Sequence, residues 1–122
     1  MCITSTGTPL LHLTGQIEAP YLDRQMASLH EAPDQLAMLK AVGKAAFWVR
    51  CAATAVGTAK QAIQCAMTAP RGPVSAEIPI NIQPTLMPVP ADGSPLPVAV
   101  TLPSPAALDA LAATLARARP TA

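Results

Sequence analysis

The residues of this chain that could do chemistry are few, and they fall in separate places. The apolar run "PLLHLTGQ" stops at Thr14-Gly15-Gln16. A strand that ends this way offers open backbone at Gly15 and both a donor and an acceptor at Gln16. Open α/β sheets bind their ligands just beyond the carboxyl ends of the strands, which gives that position its interest. Gln16 either faces a ligand or ties down its own loop. Leu29-His30-Glu31 follows in a connecting segment, where His30 can donate to a substrate oxygen or shuttle a proton near neutral pH, or is a partly exposed loop histidine. Glu31 with Asp34 is a carboxylate pair or simply two acids at a helix start. Glu77, two residues before Pro79, reads as a buried, paired acid or a catalytic one, and His12 as a hydrogen-bonded core histidine. Cys2, Cys51 and Cys65 are odd in number and lack C-x-x-C spacing, so neither a disulfide framework nor a zinc site is expected. Cys51 and Cys65 read as small packing residues with nothing nearby to depress their thiols.

These positions need a scaffold, and 122 residues suffice for one small domain with a modest core. Hydrophobic residues make up 51% of the chain, but its aromatics are only Tyr21, Phe47 and Trp48. Alanine supplies much of the remainder, so helices can approach a sheet closely while each residue buries little apolar surface. A net charge of +1, with scattered basic residues, argues against a nucleic-acid partner. No stretch approaches the roughly 20 apolar residues of a membrane span, and no signal-peptide pattern opens the chain. A cytoplasmic protein with reduced thiols is expected.

Leu10, Leu11 and Leu13 read as a strand buried on both faces, at about residues 9–14. A long connection follows over 15–32. "APDQLAMLKAVG" (32–43) is a helix with Pro33 in its first turn, Asp34 and Lys40 matched to the dipole, Gly43 as a left-handed cap, and Leu36, Leu39 and Val42 on one face. "KAAFWVR" (44–50) gathers Phe47, Trp48 and Val49 into a second strand. Thr54 is expected to cap a helix at about 54–68, with Ala59, Ala62, Ile63, Ala66 and Met67 as its apolar stripe and Lys60, Gln61 and Gln64 turned away. "PRGP" ends that helix, and "VSAEI" (74–78) is a third strand. Strand, helix, strand, helix, strand is the order of a parallel sheet with right-handed crossovers.

Composition then changes. Between Pro84 and Pro105 lie half of the chain's prolines and a single charged residue, Asp92, which fits an extended linker. "SPAALDALAATLARARP" (104–120) closes with a helix capped by Ser104, begun by Pro105, striped by Leu108, Leu111, Ala112 and Leu115, and closed by Arg117 and Arg119. The domain expectation is therefore 1–83, a linker at 84–103, and a helix of a following domain at 104–122.

"PLLHLTGQ", the segment "HEAPDQLAMLKAVGKAAFWV" (30–49) and "GPVSAEIP" (72–79), taken in that order, resemble the thiamine-diphosphate-dependent enzymes of the acetolactate synthase group. The resemblance covers nearly the whole chain and matches the second half of the family's N-terminal, pyrimidine-binding domain, with the proline-rich stretch and "ARARP" as the crossing into its central domain. It implies an α/β fold with a partial parallel three-layer sheet, and a parent activity of 2-oxo acid decarboxylation or carboligation. It further implies thiamine diphosphate and Mg²⁺ as cofactors, a 2-oxo acid or acyl substrate, and a homodimer or tetramer. Gly15 and Gln16 match the family's strand-end Thr-Gly-Gln on the cofactor side. Leu29 and His30 match positions that in many acetolactate synthases, as Phe and Gln, face the active site.

The family's proton-relay glutamate would lie upstream of residue 1. Its Gly-Asp-Gly…Asn diphosphate motif has no counterpart, since Asp92-Gly93 stands in the linker. Gly43-Lys44 occupies the place of a Thr-Lys-Trp-like element, and Ile80 stands where acetolactate synthases carry a lysine near the substrate. A relative acting on another 2-oxo acid or acyl-CoA is as consistent as acetolactate synthesis, and flavin (FAD) binding stays open. The chain reads as a fragment expected to be inactive alone. The alternatives are a non-catalytic interaction module, or an unstable gene remnant, docking on a full-length relative.

Overall fold

The computed structural model describes residues 7–100 and 102–118. Three strands, β1 (Leu10–Gln16), β2 (Ala45–Trp48) and β3 (Pro73–Pro79), pair in the order β1-β3-β2, all parallel. Gly15 pairs with Ile78, Gln16 with Pro79 and Trp48 with Glu77. The connection from β1 to β2 passes over β3, while that from β2 to β3 steps back. Val74 and Glu77 project from opposite faces of β3 and meet different helices, so the two connecting helices lie on opposite faces of the sheet, as right-handed crossovers in opposite directions require. The helices are α1 (Gln35–Val42) and α2 (Ala52–Met67). Ala62 and Ala66 of α2 pack on Val74, with Leu11, Ala45 and Phe47 around them. On the other face, the Gln35 side chain of α1 reaches Glu77. This is the α/β, three-layer arrangement expected from the sequence, in small form.

Several local expectations need correcting. β1 runs on through Gly15 and Gln16, and it is an edge strand, not one buried on both faces: Leu10 and Leu13 are exposed because the helices lie mainly over β2 and β3 and reach the edge only in part. His12 is accordingly exposed and shares a hydrogen bond with Ser75 Oγ at 3.2 Å. In α1 the cap is Asp34, whose Oδ1 accepts from Ala37 N at 2.8 Å, so Pro33 precedes the helix. Leu39 is its buried residue, while Val42 is exposed.

Gly43 is extended (φ −130°), not left-handed. Its glycine is needed for approach, since a Cβ there would stand 3.1 Å from Pro73 O and 3.2 Å from Leu39 O. α2 starts earlier than expected because Cys51 is its cap and Thr54 the third helical residue; Thr54 Oγ1 folds back onto the Cys51 backbone. Ala62 and Ala66 are the buried part of its stripe, with Ile63 and Met67 at its margins.

The linker over 84–103 has no regular structure among its described residues. Lys60 Nζ and Gln64 Nε2, turned away from the sheet, donate to Asp92 O and Pro97 O and hold it along α2. α3 (Pro105–Arg117) begins at Ser104, whose Oγ accepts from Ala107 N at 3.2 Å. None of its residues is buried. Cys2, Arg119 and Pro120 lie outside the described residues.

Candidate functional site

The carboxyl ends of β1 and β3 are neighbours, and the chain leaving each of them rises to form a wall. After β1 it makes a single 3₁₀ turn, Ala19–Tyr21, and then a loop up to α1. After β3 it turns through Ile80 to Gln83, with Ile82 N donating to Pro79 O. A bond from Ala19 N to Asn81 Oδ1 (2.8 Å) and another from Ile80 N to Gln16 O (2.9 Å) tie the two walls together. Between them lies a cleft of about 510 Å³.

All four site residues expected from the sequence line this cleft: Gly15, Gln16, Leu29 and His30. They reach it by different routes. Gly15 and Gln16 arrive in the strand, with Gln16 Oε1 accepting from Ile17 N at 2.8 Å. That bond ties down the loop after β1, fixes the amide and leaves its NH₂ group as a donor, which also serves Glu77. Leu29 and His30 arrive from the loop. His30 has left-handed backbone (φ 70°), as do Asp23, Gln25 and Ala27 before it. Four non-glycine residues in that region within one loop store strain, which is a feature of segments that present ligand-facing groups. The Glu31 Oε2 atom accepts from Ser28 N at 2.8 Å and closes the turn that carries Leu29 and His30. His30 is exposed, and its ring makes no hydrogen bond with the described residues.

Sequence reasoning missed Tyr21, Gln35 and Gln83, which also line the cleft. Gln35 Nε2 donates to Gly15 O and Gln83 Nε2 to Ile78 O, each at 2.9 Å, so these amides brace the strand ends that form the floor. The available signal was position: Gln35 follows a helix cap, and Gln83 lies one turn past the end of a strand. A Cβ on Gly15 would stand at an ordinary 3.6 Å from Gln83 Nε2, so packing within this chain does not demand glycine there. Ile80 is 58% exposed and Leu29 83%, so two large apolar side chains stand open at the rim.

The cleft is lined by amides, apolar side chains, one histidine, one tyrosine, one serine and the single carboxylate of Glu18. None of the described residues that line it is a Lys or Arg. Among the described residues no group of three or more His, Cys, Asp or Glu is placed to hold a metal ion. The site can therefore receive a neutral, partly apolar ring with hydrogen-bonding edges, and its described lining offers no Lys or Arg to a phosphate.

Behind the floor stands Glu77, in the central strand and only 3% exposed. Burial pushes its carboxyl above the ordinary glutamate range and the Asp34 charge adds to this, while hydrogen bonds with the Gln35 and Gln16 side chains oppose it. Asp34 caps α1 and Glu31 closes a turn, each with one carboxylate oxygen. Cys51 is exposed, and the Thr54 hydroxyl, bonded to its thiol, lowers its pKa. The expectation of an inert packing cysteine is thereby corrected for Cys51, whereas Cys65 does pack against the core.

No protein-family model matches the chain, and no curated protein matches it. Among the described residues, no helix is long and apolar enough to cross a membrane.

Proposed function

We propose that this chain forms one wall of the coenzyme cleft of a thiamine-diphosphate-dependent enzyme of the acetolactate synthase kind, acting on a 2-oxo acid or acyl substrate, and that by itself it is inactive. One observation carries this reading: Gly15, Gln16, Leu29 and His30, singled out by resemblance, line one cleft beyond the carboxyl ends of parallel strands. When bound, the coenzyme supplies the stabilised carbanion needed to break or make the bond beside a carbonyl carbon. This chain's own contribution is to the ring half of the coenzyme. One N–H of the Gln16 amide is held by Glu77 and the other is left to donate to a ring edge, Gly15 leaves room for close approach, and Leu29 and Ile80 keep water from that face. His30 offers a proton donor at the open side. The diphosphate and its Mg²⁺ do not fit the residues present, so they fall to other polypeptide, in keeping with a homo-oligomeric parent.

Calorimetric and NMR titrations test the two halves of the proposal separately. With the isolated aminopyrimidine half of the coenzyme, weak binding with amide shifts at Gly15, Gln16 and His30 is expected, and the absence of any shift would overturn the cleft assignment. With thiamine diphosphate and Mg²⁺, no tight binding is expected, and micromolar affinity would overturn the incomplete-site claim.

A second reading has its own observation. Leu108, Leu111 and Leu115 of α3 are each half or more exposed, an apolar face without a partner among the described residues. A non-catalytic module docking through that face on a full-length relative accounts for it. Size-exclusion chromatography with and without such a relative separates the two readings.

A further inference from the structure

A second cavity, of about 170 Å³, lies on the α1 side of the sheet and shares Gln16, Ile17 and Gln35 with the cleft. Its charged lining has one sign: Asp23, Glu31, Asp34 and Glu77, with no Lys, Arg or His among the lining residues. Asp34 spends one oxygen on Ala37 N and Glu31 one on Ser28 N, which leaves each a second oxygen without a donor from the described residues.

The inner end of the cavity is less ordinary than its acidic rim. Glu77 Oε1 is buried with no hydrogen-bond partner, and so is Trp48 Nε1. The two residues are register partners on adjacent strands, so they present an unpaired acceptor and an unpaired donor side by side on one face. Native chains rarely leave such groups empty, and each one asks for a cause.

A metal ion does not answer, because among the described residues the carboxylates do not come together as a group that could hold one. Carboxylates spread around a cavity suit a cation whose N–H donors point in several directions, and the indole N–H asks the same ligand for an oxygen. At about 30 Å³ for each water-sized group, the space admits about six non-hydrogen atoms. Trp48 already carries a cation on its ring, with the Arg50 guanidinium carbon 4.0 Å from the ring centroid.

We propose that this cavity binds a small organic ammonium compound carrying a hydroxyl or amide oxygen, its nitrogen donating to Glu77 and its oxygen accepting from Trp48 Nε1. Asp23, Glu31 and Asp34 attract the cation and take its remaining donors. Only Oε1 of Glu77 is without a partner, so the ligand takes that oxygen while the Gln16 and Gln35 amides keep their hold on the carboxylate. The site is independent of the coenzyme reading of the larger cleft, and either can fail without the other.

Trp48 is the only tryptophan, so its fluorescence reports on the cavity. The full chain is titrated with ethanolamine hydrochloride at constant ionic strength, beside ethylamine, which lacks the oxygen, and choline, which lacks the N–H donors. A saturable response to ethanolamine at millimolar concentration is expected, the range open to so small a ligand. Ethylamine is expected to bind about threefold more weakly, and choline not to saturate. Glu77→Gln is expected to weaken ethanolamine about tenfold or more, the loss of a charge-assisted hydrogen bond. A response that does not saturate, that is equal for choline, or that survives Glu77→Gln unchanged overturns the proposal. Should Glu77→Gln fail to fold by circular dichroism, Glu31→Gln decides, because it keeps the oxygen that accepts from Ser28. Reduced affinity there supports the site and unchanged affinity overturns it.

Discussion

Glu77 and Cys51 show how much a residue's chemistry depends on its neighbours. A carboxyl whose folded-state pKa lies above its ordinary 4.5 holds its proton more tightly in the folded chain. The stability this gives is fully present below about pH 4.5 and is lost as the pH rises through the folded-state value. Glu77→Gln keeps the shape and removes the titration. Urea unfolding of both chains between acid and neutral pH, in amine-free buffer, is expected to show the parent losing stability relative to the variant as pH rises. A constant difference across that range would mean that Glu77 is not the group responsible. Cys51 moves the other way, because the Thr54 hydroxyl stabilises its thiolate. In an iodoacetamide time course read by peptide mass, Cys51 is expected to alkylate ahead of Cys65, and Thr54→Val to slow Cys51 by about threefold.

At the scale of elements, α2 is held from both ends of the chain's middle section. Lys44 Nζ donates to Cys65 O and, at 2.7 Å, to Thr68 O, so it closes the negative end of the helix from the strand beneath it. Lys44→Met keeps the aliphatic stem, which occupies the space a Cβ on Gly72 would press into, and removes the charge and donors. A loss of about 0.5–1 kcal/mol is expected, the usual worth of a cation at an exposed helix end, read as a shift in the urea midpoint. Gly43→Ala is expected to cost more, about 1–3 kcal/mol, because its Cβ would press on two backbone carbonyls that must each shift by a few tenths of an ångström. For a domain of this size that lowers the melting temperature by about 4–8 °C per kcal/mol in a thermal scan.

At the scale of the whole molecule, the chain exposes 8863 Å², where a compact monomer of 12.5 kDa would expose about 6,200 Å². The excess is easy to place. Leu86, Val89, Val100 and Leu102 are all more than three-quarters exposed, and α3 buries nothing. A lone helix of 13 residues is marginal in water, so α3 contributes little to the cooperative unit. A chain ending at Pro103 is expected to melt within about 1–2 °C of the parent, since a loss of 1 kcal/mol would already shift it further. A larger drop in the thermal scan would mean that α3 packs on the domain in solution.

The sequence by itself determined the order of elements, the parallel class of the sheet and the signals at most element ends. Ser104 with Pro105, Asp34 before α1 and the β-prone run at Phe47 and Trp48 act within a turn of themselves, so their physics is legible in a short window. It also marked Gly15, Gln16, Leu29 and His30 as one set, through resemblance. Tertiary structure alone decided that Leu10 and Leu13 are only partly covered, that Gly43 lies close against Pro73, and that Glu77 and Trp48 meet beside a cavity. Each of those outcomes depends on which strand lies next to which, an arrangement that joins residues tens of positions apart and leaves no trace in the spacing of their neighbours.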